Sequence, residues 1–289
     1  MTADAGEEGT AEGSEAEAEA EAEAEEYVEE EMDEASMLEM LDALQDPQIT
    51  CRSLFRRPGA GWGDTAGVLP TAELEQLFEK GHAVLDGFLD GQEAAAGRKD
   101  ALGAYAEGRL GAAHGASADT VYDKTARTDF TVFLPGPAAA AETYGAGLGR
   151  VLERLQALGA ELDRAVKLAD VERGTEYQLA VYDGSPASGS YYERHRDAFP
   201  DDGSEAETNA GVPGQRRVSA VVYLQDPARP QDLDGAGGEL ELFLTKEQGG
   251  GVRRVAPEAG RAVVFLSGAV DHAVLPARFR RVAVTAWFH

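Results

Sequence analysis

The residues with the clearest chemical content are His195 and Asp197, a His-x-Asp pair at the end of the Tyr-rich stretch Tyr191-Tyr192-Glu193-Arg194. On an extended strand, side chains two apart share a face, so an imidazole and a carboxylate spaced this way can grip one metal ion. A third donor is available in His272, which follows the apolar run Ala262–Leu266. Two imidazoles and one carboxylate on one face of an ion are a donor set for Fe(II), and they leave positions open for a chelating co-substrate and dioxygen. The chain has only five histidines (82, 114, 195, 272 and 289), and His82, His114 and His289 show no ligand-like spacing.

The second feature is Arg281, nine residues beyond His272. Pro276 lies between them and predicts a strand break with a hairpin return. On the returning strand, Arg281, Ala283, Thr285 and Trp287 share one face and Val282, Val284, Ala286 and Phe288 the other. An Arg and a Thr on an inward face call for an anionic partner, because an unpaired buried charge is very costly. A dicarboxylate fits, one end chelating the metal and the other held by the guanidinium fork.

The elements that must position these groups follow from the pattern of the chain. Residues 1–36 hold sixteen Asp and Glu with no Lys or Arg; without that stretch the other 253 residues carry −11 of the net charge of −27. Such a segment cannot bury enough apolar surface to offset its ordering entropy, so it is expected to be a disordered acidic Glu/Ala-rich tail. A short helix over Met37–Leu44 and a Gly/Pro-rich linker follow over 37–69, and one domain is expected over 70–289. Thr71 is placed to cap its first helix; a strand over His82–Leu89, a helix over Gln92–Arg109 and a strand over Arg127–Leu134 follow. Leu148, Val151, Leu152, Leu155, Leu158, Leu162 and Val166 recur at helical spacing and predict one long helix over Ala138–Leu168. The Gly145-Ala-Gly-Leu-Gly149 run inside it is no dinucleotide fingerprint, since no strand precedes it.

From Thr175 the chain changes to short strands over Thr175–Tyr182, Ser190–Arg194, Arg217–Leu224, Glu239–Leu244, Val252–Val255, Arg261–Leu266 and Arg281–Phe288. Strands without intervening helices predict a sandwich or jelly roll, giving an α+β fold with the N-terminal helices packed outside. The acidic charge disfavours nucleic acid and favours basic peptides or proteins as partners. Cys51 is the only cysteine, which excludes an internal disulfide. With no secretory leader pattern and no long apolar run, no membrane association is expected, and the cytoplasm or nucleus is the expected location.

His195-x-Asp197, His272 and Arg281 resemble the 2-oxoglutarate and Fe(II)-dependent dioxygenases, in particular the prolyl 4-hydroxylase branch that includes the hypoxia-sensing enzymes. Further matches are Val84-Leu-Asp-Gly-Phe-Leu89, Arg127-Thr-Asp129, Val221-Val-Tyr223-Leu224, Gly237-Gly-Glu-Leu240 and the closing Arg281-Val-Ala-Val-Thr285-Ala-Trp287. The resemblance implies a double-stranded β-helix and Fe(II) bound by His195, Asp197 and His272. It also implies that Arg281, with Tyr223 and Thr285, holds the distal carboxylate of 2-oxoglutarate, that Tyr182 lines the pocket, and that Tyr192 and Trp287 face the substrate. The implied activity is a peptidyl-proline 4-dioxygenase one: O2-dependent hydroxylation of a prolyl residue in a peptide or protein, with release of succinate and CO2 and with L-ascorbate as reductant. The longer spacing from Tyr182 to His195 and the acidic loop Asp201–Gln215 depart from the hypoxia-sensing pattern, and both bear on the substrate. Three other readings remain open on the residues alone: an oxygenase acting on another side chain or a small molecule, a non-catalytic β-barrel scaffold, and a zinc hydrolase. The last leaves Arg281 unexplained.

Overall fold

The computed structural model describes residues 54–56, 67–113, 126–168, 171–184, 189–198, 215–226, 237–246 and 248–289, all within Asp42–His289, the second of two units into which the chain divides. The acidic stretch 1–36, the helix expected over Met37–Leu44, Cys51, His114 and the loop from Asp201 up to Gln215 lie outside the described residues.

Among the described residues, five helices and eleven strands follow in the order α1 (Thr71–Lys80), β1 (His82–Leu85), α2 (Gly91–Ala106), β2 (Gly111–Ala112), β3 (Phe130–Leu134), α3 (Pro137–Thr143), α4 (Ala146–Leu162), α5 (Val171–Gly174), β4 (Glu176–Tyr182), β5 (Ser190–His195), β6 (Val218–Tyr223), β7 (Leu240–Leu244), β8 (Gly251–Val255), β9 (Ala262–Leu266), β10 (Asp271–Ala277) and β11 (Arg281–Phe288). The strands form a seven-stranded sheet in the order β1-β9-β6-β11-β4-β3-β2 and a four-stranded sheet in the order β5-β10-β7-β8. Every pairing is antiparallel. This is the jelly-roll core with flanking helices expected from the sequence.

The large sheet is covered on both faces, which is why β6 (VSAVVY) and β9 (AVVFL) are apolar or small at every position and buried throughout. On its outer face, Leu148, Val151, Leu152, Leu155, Leu158 and Leu162 of α4 are all fully buried with Val222, Val264, Val284 and Phe288. Gly159 lets α4 approach closely, since a Cβ there would lie 2.5 Å from the Phe288 ring. On the inner face, Tyr182, Val221, Tyr223 and Phe265 meet Leu240, Leu242 and Val274 of the small sheet.

Several local expectations are corrected. The single helix expected over Ala138–Leu168 is two, α3 and α4, because Gly145 at φ 127° turns the chain. The Asp100 carboxylate then accepts the Gly147 and Leu148 amides at the start of α4, so the glycine run binds the protein's own anion. Thr71 does not cap α1; Pro70 is the N-cap and no side chain bonds there. Asp90 does cap α2, in a capping box with Glu93. The 37–69 linker is not all connector, for Leu54, Phe55 and Leu69 are buried, and Phe55 sits edge-on to Phe78 at 5.1 Å. Pro276 does not break a strand: it lies inside β10, in the irregular stretch between the Val274↔Tyr192 and Ala277↔Ser190 pairs, where no ladder hydrogen bond is lost. The reversal comes later, at residues 278–280. His82 is buried between the Lys80 carbonyl and Arg253, whose guanidinium donates to Nε2 at 2.8 Å, tying β1 of one sheet to β8 of the other.

Candidate active site

Between the sheets lies a cavity of about 220 Å³. Its wall on the large sheet is a set of rungs fixed by strand register. Arg281 pairs with Tyr182, Ala283 with Ala180 and Tyr223, Thr285 with Gln178 and Val221, and Trp287 with Glu176 and Ser219. Residues directly opposite in adjacent strands point to the same side, and all of these rung residues but Glu176, Ser219 and Tyr223 supply cavity-lining side chains. The two alanines leave the room; large side chains bound it on either side.

The small sheet supplies the candidate metal ligands. His195 ends β5 and His272 is near the start of β10, and the two are register partners. Their ring centroids are 4.1 Å apart. Asp197 lies two residues beyond the end of β5. It therefore does not share a strand face with His195, as the sequence pattern had suggested; other contacts place it. Its Oδ2 accepts from Ser219 Oγ at 2.7 Å and from Trp287 Nε1 at 2.9 Å. Its Oδ1 faces the Nε2 atoms of His195 at 3.6 Å and His272 at 3.8 Å. One donor atom from each of the three residues lies within 4.8 Å of the others.

The protonation pattern suits a cation. Each Nδ1 lies against a backbone carbonyl, that of Glu193 at 2.8 Å for His195 and of Val270 at 3.3 Å for His272. The neutral tautomer then carries its proton on Nδ1 and offers the Nε2 lone pair inward. Burial, and after it the neighbouring His272, pushes the His195 pKa well down against the pull of Asp197, which keeps the imidazole neutral. For Asp197, burial pushes upward, yet His272, His195, Ser219 and Trp287 together outweigh it and the carboxyl ends below its usual range. Two neutral nitrogens and one ionised oxygen are the donors a divalent iron takes, so the residues present fit that metal.

Further in, Arg281 is 1% exposed. Its Nε donates to the Gly238 carbonyl at 3.0 Å, and its guanidinium carbon stands 4.7 Å from the Tyr182 ring centre and 5.0 Å from that of Tyr223. The fully buried Tyr223 hydroxyl has no well-aligned hydrogen-bond partner among the described residues. Burial raises its pKa more than the Arg281 charge lowers it, so it stays a donor. A buried cation beside an uncommitted hydroxyl fits a carboxylate, the distal end of 2-oxoglutarate. Gly237 and Gly238, both at positive φ, allow the close approach that brings the Gly238 carbonyl to Arg281; a Cβ on Gly237 would lie 1.9 Å from the Pro276 oxygen.

Eight of the nine residues singled out in the sequence line this cavity, and the ninth, Tyr223, stands behind it against Arg281. Tyr192 stacks on the His195 ring at 3.6 Å, and Thr285 lies midway along β11. Trp287 lines the cavity while its indole holds Asp197. Asp271, beside His272, is paired with Arg194 and Arg196. Four contributors were given no role in the site from the sequence, although Arg127-Thr-Asp129 was among the matched motifs. Arg127 forms a buried two-point ion pair with Asp129 and lies 4.0 Å over Tyr192; Arg216 pairs with Glu176 and lies 3.9 Å over Trp287. The Arg-x-Asp spacing was a usable signal for the first. The others, Ser219 and Ser267, are isolated hydroxyls in apolar strands, a pattern too common to single out.

Residues 177–289 match the family model of the 2OG-Fe(II) oxygenase superfamily. No curated protein sequence matches the chain. Among solved structures, a prolyl-4-hydroxylase from Pseudomonas putida is 29% identical, covering 75% of this chain and 97% of its own, with a TM-score of 0.56. A prolyl hydroxylase from Trichoplax adhaerens, solved with a hypoxia inducible factor oxygen degradation domain peptide fragment, is 22% identical over 75% of this chain and 86% of its own, with a TM-score of 0.58. A prolyl 4-hydroxylase from Phytophthora capsici is 23% identical over 81% and 69%, with a TM-score of 0.52. The last two share the fold. Residues 177–289 are thus similar to the 2OG-Fe(II) oxygenase superfamily, and the chain shares the fold of these prolyl hydroxylases.

Proposed function

We propose that this oxygenase hydroxylates a prolyl residue in a peptide or protein, with L-ascorbate as the reductant that keeps it active. The observation that carries the reading is that one cavity is lined by the His195-Asp197-His272 donors and by the buried Arg281, with Tyr223 against its guanidinium, and opens past aromatic side chains. Tyr192 and Trp287 line it with Phe133, which is 56% exposed and 6.2 Å from Trp287. Flat aromatic faces suit a saturated five-membered ring presented from an extended peptide. The likeness to the Pseudomonas putida prolyl-4-hydroxylase supports the same substrate class.

In this reading His195, Asp197 and His272 hold the iron. Arg281 binds the distal carboxylate of 2-oxoglutarate with the Tyr223 hydroxyl as second donor, and Thr285 lies along the same wall. Bound there, iron and 2-oxoglutarate together supply the chemistry: oxidative decarboxylation to succinate and CO2, coupled to insertion of one atom of O2 into a substrate C–H bond. Tyr182, Leu240 and Val274 keep the inner cavity dry, which strengthens the Arg281 interaction. Tyr192 and Trp287 orient the target side chain above the ligands. The net charge of −27 favours a basic peptide.

The test incubates Fe(II)-loaded protein with 2-oxoglutarate, ascorbate and a panel of proline-containing peptides, and maps any gain of one oxygen atom by mass spectrometry. Hydroxyproline formed with stoichiometric succinate is expected. Succinate production coupled to oxygen on another side chain or on a small molecule would replace the prolyl reading while leaving the oxygenase intact.

A further inference from the structure

Asp197 has two oxygens, and the structure treats them differently. Oδ1 faces both imidazole Nε2 atoms, whereas Oδ2 is held by Ser219 and Trp287. Ser219 and Ser267 are fully buried, and their hydroxyl oxygens are 2.8 Å apart. The direction of that contact follows from a count of hydrogens. A serine hydroxyl has one, and Ser219 gives its own to the ionised carboxylate, so Ser267 must be the donor to Ser219. The relay runs Ser267 Oγ–H to Ser219 Oγ–H to Asp197 Oδ2. Each bond polarises the next, and the last one, at 2.7 Å, has the length of a charge-assisted bond.

We infer that Ser219, with Ser267 behind it, is a positioning residue that makes Asp197 a one-oxygen ligand and so keeps a coordination position free. This rests on the metal-site reading above. A carboxylate can bind a divalent ion through one oxygen or two. With two imidazoles and a single carboxylate oxygen, an octahedral ion keeps three positions, enough for a two-point chelating co-substrate and one more small molecule. If Oδ2 also bound, only two would remain, and the chelator would fill both. Ser219 and Trp287 engage Oδ2 from the large sheet, on the side away from the imidazoles. The relay also explains why two hydroxyls sit in β6 and at the end of β9, strands otherwise made of apolar residues: buried without partners they would be costly, but here each is satisfied.

The measurement uses Mn(II) alone, in the full-length protein, with no turnover. Water-proton relaxation enhancement reports how many exchangeable waters the bound ion carries. Wild type should give the value for three. Ser219→Ala should still bind Mn(II), since all three ligands remain, but should lose about a third of the enhancement as Oδ2 swings onto the ion and displaces one water. Ser219→Thr, which restores a hydroxyl, should recover it, and Ser267→Ala should lose a smaller part. A merely structural role would lower the melting temperature without changing the enhancement per bound ion. Unchanged enhancement in Ser219→Ala at full Mn(II) occupancy overturns the inference. Should Ser219→Ala not fold, Ser267→Ala decides alone, and equality with wild type again overturns it. No enhancement in wild type itself would instead remove the metal reading on which the inference stands.

Discussion

The two sheets differ in what holds them and in what they contribute. The central strands of the large sheet are buried on both faces, with regular seven-residue and six-residue ladders from β11 to β4 and β6. The small sheet has fewer strands, has exposed positions on three of its four strands, and carries register shifts between β5 and β10. The candidate metal ligands His195 and His272 come from the small sheet, and Arg281 and Tyr223, proposed to bind the co-substrate carboxylate, from the large one. The irregular sheet can bend to converge three donors from two strand ends, because little of the core depends on its register. The regular sheet can hold a buried cation because its surroundings are rigid enough to keep the Gly238 carbonyl and the Tyr182 and Tyr223 rings in place around it. Asp197 belongs to the small-sheet chain but is fastened to the large sheet through Ser219 and Trp287, which makes it the joint between the halves.

That division can be tested by damaging each half separately. The largest effect is expected from Asp197→Ala, which leaves two imidazoles to hold the ion. Iron affinity should fall by more than the roughly 10- to 100-fold typical of losing a group that only orients a ligand, as read by equilibrium metal binding. Folding should persist, because the large sheet does not need the carboxylate. Arg281→Ala should do the reverse. It should keep the iron and weaken 2-oxoglutarate binding by about 2 to 5 kcal/mol, the cost of truncating one partner of a buried charge pair. An anaerobic titration that follows the visible charge-transfer band of the chelate would show this, and an unchanged midpoint would remove Arg281 from the site.

Stability should divide the sheets in a different way. Leu155→Ala, at a fully buried α4 position against the large sheet, should cost about 2 to 5 kcal/mol in chemical denaturation. Val252→Ala on the edge strand β8, where the side chain is 51% exposed, should stay within about 0.5 kcal/mol of wild type. Comparable losses in the two variants would mean the small sheet carries more of the fold than its burial indicates.

The smallest effect concerns acid. The His289 imidazole, and then Arg216, bring the Glu176 carboxyl down to about 2 against the upward push of burial. A carboxylate depressed in the folded state contributes stability that is complete above its unfolded pKa of about 4.3 and is lost as pH falls through the folded value. Melting temperatures of wild type should therefore drop between about pH 4 and pH 2. Glu176→Gln should show a shallower drop over the same window, and parallel curves would count against the pairing.

The convergence of His195, Asp197, His272 and Arg281 on one cavity was legible because few residue types could do the chemistry proposed for them, and because a jelly roll brings their stretches of chain together. The alternating faces of β11 were legible too, since strand geometry allows only two. The strand β10 was not, because Pro276 reads as a breaker unless one knows that it falls where the ladder is already interrupted. Nor was the break at Gly145, where leucine spacing continues across a turn that only the backbone angle reveals.

The sequence by itself determined the donor types, the inward face of the final strand, the jelly-roll class and the acidic charge, all of which follow from residue chemistry and periodicity along one segment. Tertiary structure alone decided that Asp197 is aimed by Ser219 and Trp287 rather than by its own strand, and that Arg127 and Arg216 back the rings lining the cavity. Those contacts join residues distant in the chain through strand register, and a one-residue slip in any ladder would turn each of them to the opposite face.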